Sequence, residues 1–182
     1  MLTTLEGMTL ERRQVTVRAT PERVYTVISE LGGATGWLRL NWAWQLRGWL
    51  DRLVGGVGMR RGRRDPRELR VGDAVDFWRV EAVEPGRLVR LRAEMRVPGR
   101  AWLEFQVKAE GDGDGAGGAA STAGAAGAGT TIVQTAYFAP KGLFGVLYWY
   151  SLYPIHGLIF GGMIRAIARR AEAAPPAPAP AR

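Results

Sequence analysis

The chain has 182 residues, of which 47% are hydrophobic and 23% are charged, and this size and composition fit one globular domain. It contains no cysteine, which excludes disulfides, thiolate metal sites and cysteine nucleophiles. The net charge of +8 comes almost entirely from arginine, and the opening MLTTLEGMTLERR lacks the basic and apolar regions of a secretory signal. The sequence therefore predicts a cytoplasmic protein.

The N-terminal third predicts one strand followed by two short helices. Residues 12–19 alternate between polar and apolar side chains, which is the period of a strand. Thr20 is followed by Pro21, a pair that is typical of the cap and first turn of a helix. A second helix is predicted over 42–54, where apolar residues recur on one helical face. We expect the preceding residues 1–8 to form a flexible N-terminus.

Three further strands alternate in the same way, over 73–83, 88–96 and 101–107. A three-residue turn at 98–100 between the last two keeps their apolar faces together and pairs Met95 with Leu103. On the opposite face, Glu94 and Glu104 then lie among arginines. We interpret these two carboxylates as ion-paired surface groups rather than as a catalytic acid pair.

The C-terminal half of the sequence predicts a long helix that packs on the sheet and encloses a small-molecule cavity. Residues 110–130 are almost all small or polar, which predicts a disordered hairpin loop inside a single domain over 9–172. A returning strand is predicted over 131–138, and an apolar helix over 143–172 is long enough to cross the whole sheet. The Ala/Pro segment 173–182 is predicted to be a disordered tail.

The predicted ligand cavity has apolar walls from the strands and from the long helix: Trp78, Val80, Leu91, Met95, Leu103, Phe105, Ile155, Ile159 and Met163. Asp76 shares a strand face with Trp78, so we expect it to enter the cavity as a polar contact or a buried hydrogen-bond acceptor. His156 follows Pro154 within the apolar helix, which favours a structural role. Asp76 and His156 are the two candidates for a catalytic group, and the sequence offers no cofactor motif or metal site.

One basic cluster stands out in the segment GGVGMRRGRRDPRELRVGD: Arg60, Arg61, Arg63 and Arg64. Two interpretations are open, a solvated edge strand or an anion site, since guanidinium forks bind carboxylate and phosphate groups in two-point geometry. The glycines here follow a helix and precede strands, which is the wrong context for a dinucleotide-binding loop. The absence of a nucleic-acid reading module argues against a nucleic-acid partner.

The segment 142–164 contains no charged side chain and is long enough to span a membrane. Its glycines, Ser151 and Pro154 interrupt the apolar run, and its tyrosines cluster near the middle rather than at two interfaces. A peripheral membrane contact is a second interpretation, supported by four flanking cations: Lys141, Arg165, Arg169 and Arg170.

Two blocks of the sequence resemble known families. The opening VTVRATPERVYTVISELGGATGWL resembles the first strand and helix of the SRPBCC superfamily, also called START-like or polyketide-cyclase-like. The runs DRLVGGVGMRRGRRDPRELRVGDAVDFWRVEAVEPGRLVRLRAEMRVPGRAWLEFQV and QTAYFAPKGLFGVLYWYSLYPIHGLIFGGMIRAIAR are similar to the bacterial family known as domain of unknown function 2867. The resemblance implies an α+β helix-grip fold. In that fold a curved antiparallel sheet of about seven strands wraps around a long C-terminal helix, with two short helices after strand 1.

The resemblance implies an apolar cavity but no particular reaction. Our leading hypothesis is a protein that binds a small hydrophobic or amphipathic molecule without a cofactor. One alternative is an aromatase/cyclase-type enzyme with Asp76 or His156 as its proton-handling group. Another is an accessory domain at a membrane surface or beside an NAD(P)-binding dehydrogenase-like partner, because proteins resembling this one are often joined to such a domain.

Overall fold

The chain folds into one antiparallel sheet against a long C-terminal helix. The computed structural model describes residues 2–5, 7–32, 35–38, 45, 48–49, 52–53, 55–56, 63–109 and 129–173. Its strands are β1 (Leu2–Leu5), β2 (Met8–Val17), β3 (Ala74–Val75), β4 (Trp78–Glu84), β5 (Leu88–Ala93), β6 (Gly99–Ala109) and β7 (Thr130–Pro140). Its helices are α1 (Pro21–Ser29) and α2 (Gly142–Glu172). The strand order is β1-β2-β7-β6-β5-β4-β3, which confirms the predicted α+β architecture.

Residues 2–5 form a strand, although the sequence predicted a flexible N-terminus over 1–8. β1 pairs with β2 in an antiparallel hairpin whose closing pair is Leu5 and Met8. Gly7 in the connection has a φ of +75°, a left-handed conformation that glycine adopts at little cost in a tight turn. The hairpin adds a strand beyond β2, so β2 is an interior strand of the sheet.

The predicted start of α1 is correct. The hydroxyl of Thr20 accepts a hydrogen bond from the backbone N–H of Arg23 at 3.3 Å, and Pro21 occupies the first helical position. The apolar face formed by Val24, Val27 and Ile28 is buried. In the predicted second helix over 42–54, the described residues 45, 48–49 and 52–53 are helical.

The single strand predicted over 73–83 is two strands joined by a two-residue turn at Asp76 and Phe77. Val75 pairs with Trp78 across that turn, and Asp76 has a φ of +55°. Residues 110–128 of the predicted loop and 174–182 of the predicted tail lie outside the described residues.

The pairing of β5 with β6 also differs from the prediction. Leu91 pairs with Leu103, whereas the expected partner of Leu103 was Met95. β5 ends at Ala93, because the next N–H, that of Glu94, donates to the carbonyl of Phe77 at 2.9 Å. The strands are offset by an even number of residues from the prediction, so the apolar faces still coincide.

The face of the sheet toward α2, which we call the inner face, carries the core. Val80, Leu91, Leu103 and Ala136 follow one another across β4, β5, β6 and β7, and all four are buried. The opposite, outer face holds Glu104, which is also buried and accepts a hydrogen bond from Arg90 Nε at 2.6 Å. Glu94 pairs with Arg79, so both carboxylates are ion-paired as predicted, but the prediction that both are surface groups is wrong for the buried Glu104.

Helix α2 has two halves with different surroundings. At its start, Gly145 packs so closely on the β5–β6 connection that an added Cβ would lie 2.4 Å from the carbonyl oxygen of Pro98. One turn later the ring of Trp149 stacks on Phe138 of β7. In the second half, the stretch from Ile159 to Ile164 is buried without interruption. Ile155 is 51% exposed, so its predicted place in a cavity wall is wrong.

Candidate functional site

Polar side chains interrupt the apolar inner face, and the candidate site is formed by those of Glu11 and Arg13 from β2 and of Gln134 from β7. Arg13 pairs with Gln134 across the two strands, so both side chains lie on the same face. Two residues after Arg13 in β2 is Val15, which packs on the core, and two residues later is Val17, which belongs to it. The period of the strands therefore directs these polar groups toward α2 rather than toward solvent.

Glu11 and Arg13 form an ion pair at the edge of the interface with α2. The Nη2 of Arg13 donates to Oε1 of Glu11, whose side chain is only 2% exposed. The guanidinium packs against α2 at Gly157 and Gly161, where an added Cβ would lie 3.9 and 3.7 Å from its nitrogens. Glycine at these positions gives the arginine room beside the helix.

Gln134 lies in the middle of the sheet and is 1% exposed. Its Nε2 donates to the sulfur of Met163 in α2 at 3.4 Å, so the amide points at the helix. Its Oε1 has no hydrogen-bond partner among the described residues, and neither does Oε2 of Glu11. Buried polar atoms are nearly always hydrogen-bonded, and an unsatisfied one costs about 1–3 kcal/mol. Two strong acceptors are therefore presented, unsatisfied, at the sheet–helix interface.

The surroundings of these acceptors are apolar and aromatic. Phe105 pairs with Gln134 from β6, and both residues are buried. Further along the helix, His156 packs edge-on against Trp149, with ring centroids 4.9 Å apart. Within the part of the chain that the structure describes, the indole nitrogens of Trp149 and Trp78 are also buried without hydrogen-bond partners. The interface thus combines aromatic walls with a few unsatisfied polar atoms.

Most of the predicted cavity residues lie in one core cluster at this interface: Trp78, Val80, Leu91, Leu103, Phe105, Ile159 and Met163. Met95 is partly buried against the cluster, and Ile155 lies on the solvent side of α2. Glu11, Arg13 and Gln134 were not among the site residues predicted from the sequence. The sequence did contain a signal for two of them. Glu11 and Arg13 lie an even number of positions from Val15, so in a strand they lie on the same face as Val15.

Asp76 is a buried hydrogen-bond acceptor, one of the two roles expected for it. Its Oδ2 accepts a hydrogen bond from the indole nitrogen of Trp37 at 2.8 Å. It reaches that position from the β3–β4 turn rather than from a strand face. His156 packs between the rings of Trp149 and Phe160, which is consistent with the structural role favoured for it.

Half of the predicted anion site, Arg60 and Arg61, lies outside the described residues. Arg64 binds Asp73 through Nε and Nη2, both at 3.1 Å, so its guanidinium fork already holds a carboxylate. Arg63 donates to the carbonyl of Leu31 at 2.7 Å, and burial lowers its pKa against the opposing pull of four nearby carboxylates. Those carboxylates reduce the attraction of Arg63 for an added anion. Among the described residues, no group of three His, Asp or Glu side chains could hold a metal ion.

Comparison with protein families shows which family the chain matches. The model of the family described as protein of unknown function (DUF2867) matches residues 8–163, which is most of the chain. No curated protein matches the sequence.

Solved structures share the architecture at low sequence identity. A point mutant of norcoclaurine synthase from Thalictrum flavum, in complex with a transition-state analogue, is 12% identical with a TM-score of 0.50, over 92% of this chain and 96% of that one. The same plant's enzyme with dopamine and hydroxybenzaldehyde is 13% identical with a TM-score of 0.49, over 89% and 85%. The Zhui aromatase/cyclase from Streptomyces sp. R1128 is 16% identical with a TM-score of 0.49, over 91% and 94%. Similarity to solved structures at this level of sequence identity shows a common fold and nothing about function.

Proposed function

The chain belongs to the DUF2867 family and has the helix-grip fold of the SRPBCC superfamily, and we propose that it binds a small amphipathic molecule between the inner face of the sheet and α2. The observation that carries the proposal is the pair of buried, unsatisfied acceptors, Gln134 Oε1 and Glu11 Oε2. A ligand that donates hydrogen bonds to them would remove the cost of leaving them unsatisfied.

The chemistry of the interface defines the class of ligand. Carboxylate and amide oxygens accept hydrogen bonds, so they favour a hydroxyl, phenol or amine over a carbonyl. The charge of Arg13 is neutralised by Glu11, which lowers its attraction for a free anion. Phe105 and Trp149 supply apolar contact area for the rest of the molecule. We therefore expect a ligand with an aromatic or aliphatic body and at least one hydroxyl or amino group.

A pair of matched probes tests this proposal. Fluorescence titration should show that the protein binds 2-naphthol, with one site per chain, about tenfold more tightly than naphthalene, since one hydrogen bond contributes about 1 kcal/mol or more. Gln134→Leu should reduce this preference while retaining the fold, because the substitution replaces an amide whose Oε1 is unsatisfied by an apolar group of similar size.

Gln106→Leu is the matched control, because Gln106 lies on β6 beside Gln134 but on the outer face, where it donates to Glu104. It should leave the preference for 2-naphthol unchanged. The proposal is wrong if the wild-type protein binds neither probe, or if the Gln134→Leu variant keeps the full preference. The cytoplasmic location and a dehydrogenase-like partner remain predictions from the sequence.

A further inference from the structure

The first half of α2 presents a row of large apolar side chains to solvent. Six of them are more than half exposed, and we call them the apolar stripe: Leu143, Phe144, Leu147, Tyr150, Ile155 and Leu158. Single exposed apolar residues are ordinary in soluble proteins, but a contiguous group of this size marks an interaction surface.

The stripe occupies one side of the helix. At about 100° per residue, four of its members fall within a sector of about 80°: Leu143, Leu147, Tyr150 and Leu158. The opposite side of the same helical turns packs on the domain, where Gly145 contacts Pro98 and Trp149 stacks on Phe138. The helix is therefore fixed with its apolar stripe directed away from the sheet.

Positive charge flanks the stripe at both ends. The sequence between 142 and 164 contains no charged side chain. Lys141 precedes it, and the exposed Arg165 and Arg169 continue the same side of the helix toward its C-terminus. Glu172 is the only acidic residue of α2, and the whole chain has a net charge of +8. An apolar surface between cations is complementary to a bilayer that contains anionic lipids.

Other occupants fit this surface less well. Two of the segments outside the described residues, 110–128 and 174–182, contain no large apolar side chain that could cover the stripe. A second copy packed antiparallel on the same helix would bring Lys141 of one chain toward Arg165 of the other, and like charges repel. We propose that the apolar stripe docks the protein on the surface of an anionic lipid bilayer, with α2 lying in the interface plane.

The buried half of α2 explains why the helix lies on the bilayer and does not cross it. By length and composition alone, Gly142–Glu172 could span a membrane. However, Ile159 to Ile164, Ile167 and Ala171 are packed inside the domain, so crossing would require their removal from the core. This inference is independent of the proposed ligand, because the stripe faces away from the inner face of the sheet.

Vesicle flotation tests the inference. The full-length protein should float with vesicles of phosphatidylcholine and phosphatidylglycerol in a 70:30 ratio, and about 0.5 M salt should reduce the bound fraction because the cations contribute. Leu147→Asp should lower binding at least tenfold, since it places a charge in the centre of the stripe. Val71→Asp is the matched control, because Val71 is exposed to a similar degree (66% against 61%) but lies before β3. It should bind like the wild type.

Three outcomes would overturn the inference. The wild-type protein does not float, Leu147→Asp floats as well as the wild type, or sedimentation velocity shows a dimer that Leu147→Asp dissociates. Circular dichroism and thermal unfolding should match the wild type for Leu147→Asp, as expected for an exposed position. Leu158→Asp provides a second variant with the same expected loss of binding if Leu147→Asp does not fold.

Discussion

The indole nitrogen of Trp37 donates a hydrogen bond of 2.8 Å to the carboxylate of Asp76, and both side chains are buried. Trp37 follows α1, whereas Asp76 lies in the β3–β4 turn, so the bond ties two distant parts of the chain together. The ring of Trp37 also stacks on Phe77, with centroids 6.2 Å apart. The contact therefore fixes the β3–β4 turn against the segment that follows α1.

Replacing Asp76 tests the importance of this bond. We expect Asp76→Ala to lower the free energy of unfolding by about 3 kcal/mol, because it leaves the Trp37 N–H unsatisfied and places alanine at a φ of +55°. Urea denaturation followed by tryptophan fluorescence measures the loss. Asp76→Asn keeps an acceptor and tolerates positive φ, so it should lose clearly less stability. Equal losses for the two variants would contradict the assigned role.

The ion pair between Glu11 and Arg13 predicts a strong asymmetry between single and double substitution. Arg13→Met should destabilise the fold by about 3 kcal/mol, because it leaves the carboxylate of Glu11 buried without its cation. Combining it with Glu11→Leu removes both charges and should recover most of that loss. Chemical denaturation of the three proteins gives the comparison, and a double variant as unstable as the single one would refute the argument.

Asp73 predicts a pH dependence of stability. The guanidinium of Arg64, hydrogen-bonded to its carboxylate, holds the pKa of Asp73 below its ordinary value. Because the folded-state pKa is depressed, this stabilisation is complete above the unfolded pKa of about 3.9 and is lost as the pH falls through the lower folded-state value. The difference in Tm between wild type and Arg64→Gln should be constant from about pH 7 to 5 and shrink below about pH 4.

Arg87→Gln, in the β4–β5 turn, provides the control for that measurement. The difference in Tm between Arg87→Gln and the wild type should not change over the pH range in which Asp73 becomes protonated. A difference for Arg64→Gln that is unchanged at acidic pH would show that Arg64 stabilises the fold by other means.

The predicted loop between β6 and β7 should be dispensable. Ala109 pairs with Thr130, so the two strand ends are already adjacent. Replacing residues 110–129 by Asn-Gly, a two-residue hairpin turn, should raise the free energy of unfolding by about 1 kcal/mol, since a shorter loop costs less entropy to close. Differential scanning calorimetry checks the result. A fall in Tm of more than about 5 °C would mean that the segment packs on the domain.

The general architecture could be predicted because its signals are periodic. Alternation identified β2 and the strands from residue 74 onward but not β1, and the long run without charged side chains identified α2 almost to the residue. The same periodicity cannot fix register, because any even shift preserves the apolar pattern, and the pairing of Leu103 was accordingly wrong. It also did not locate the turn at Asp76 and Phe77, because the turn-favouring Asp76 stands there without glycine or proline inside an alternating run.

The candidate site was harder to predict than the fold. A helix that is apolar on all sides gives no periodic signal for its buried side, so Ile155 was assigned to the wrong face. Glu11 and Arg13 are charged residues in a strand, and charge alone suggests solvent. Their burial follows from the neighbouring strand β7 and from Gly157 and Gly161 of α2, which are distant in sequence.

The strand order has a consequence for synthesis on the ribosome. Each of the described strands β3 to β7 pairs with the strand made just before or just after it, but β2 must wait for β7, after most of the chain has emerged. Until then β2 has one unpaired edge, and such edges promote association between chains. The arrival of β7 and α2 closes this gap and covers the inner face in one late step, so the domain completes its fold only when β7 and α2 have been made.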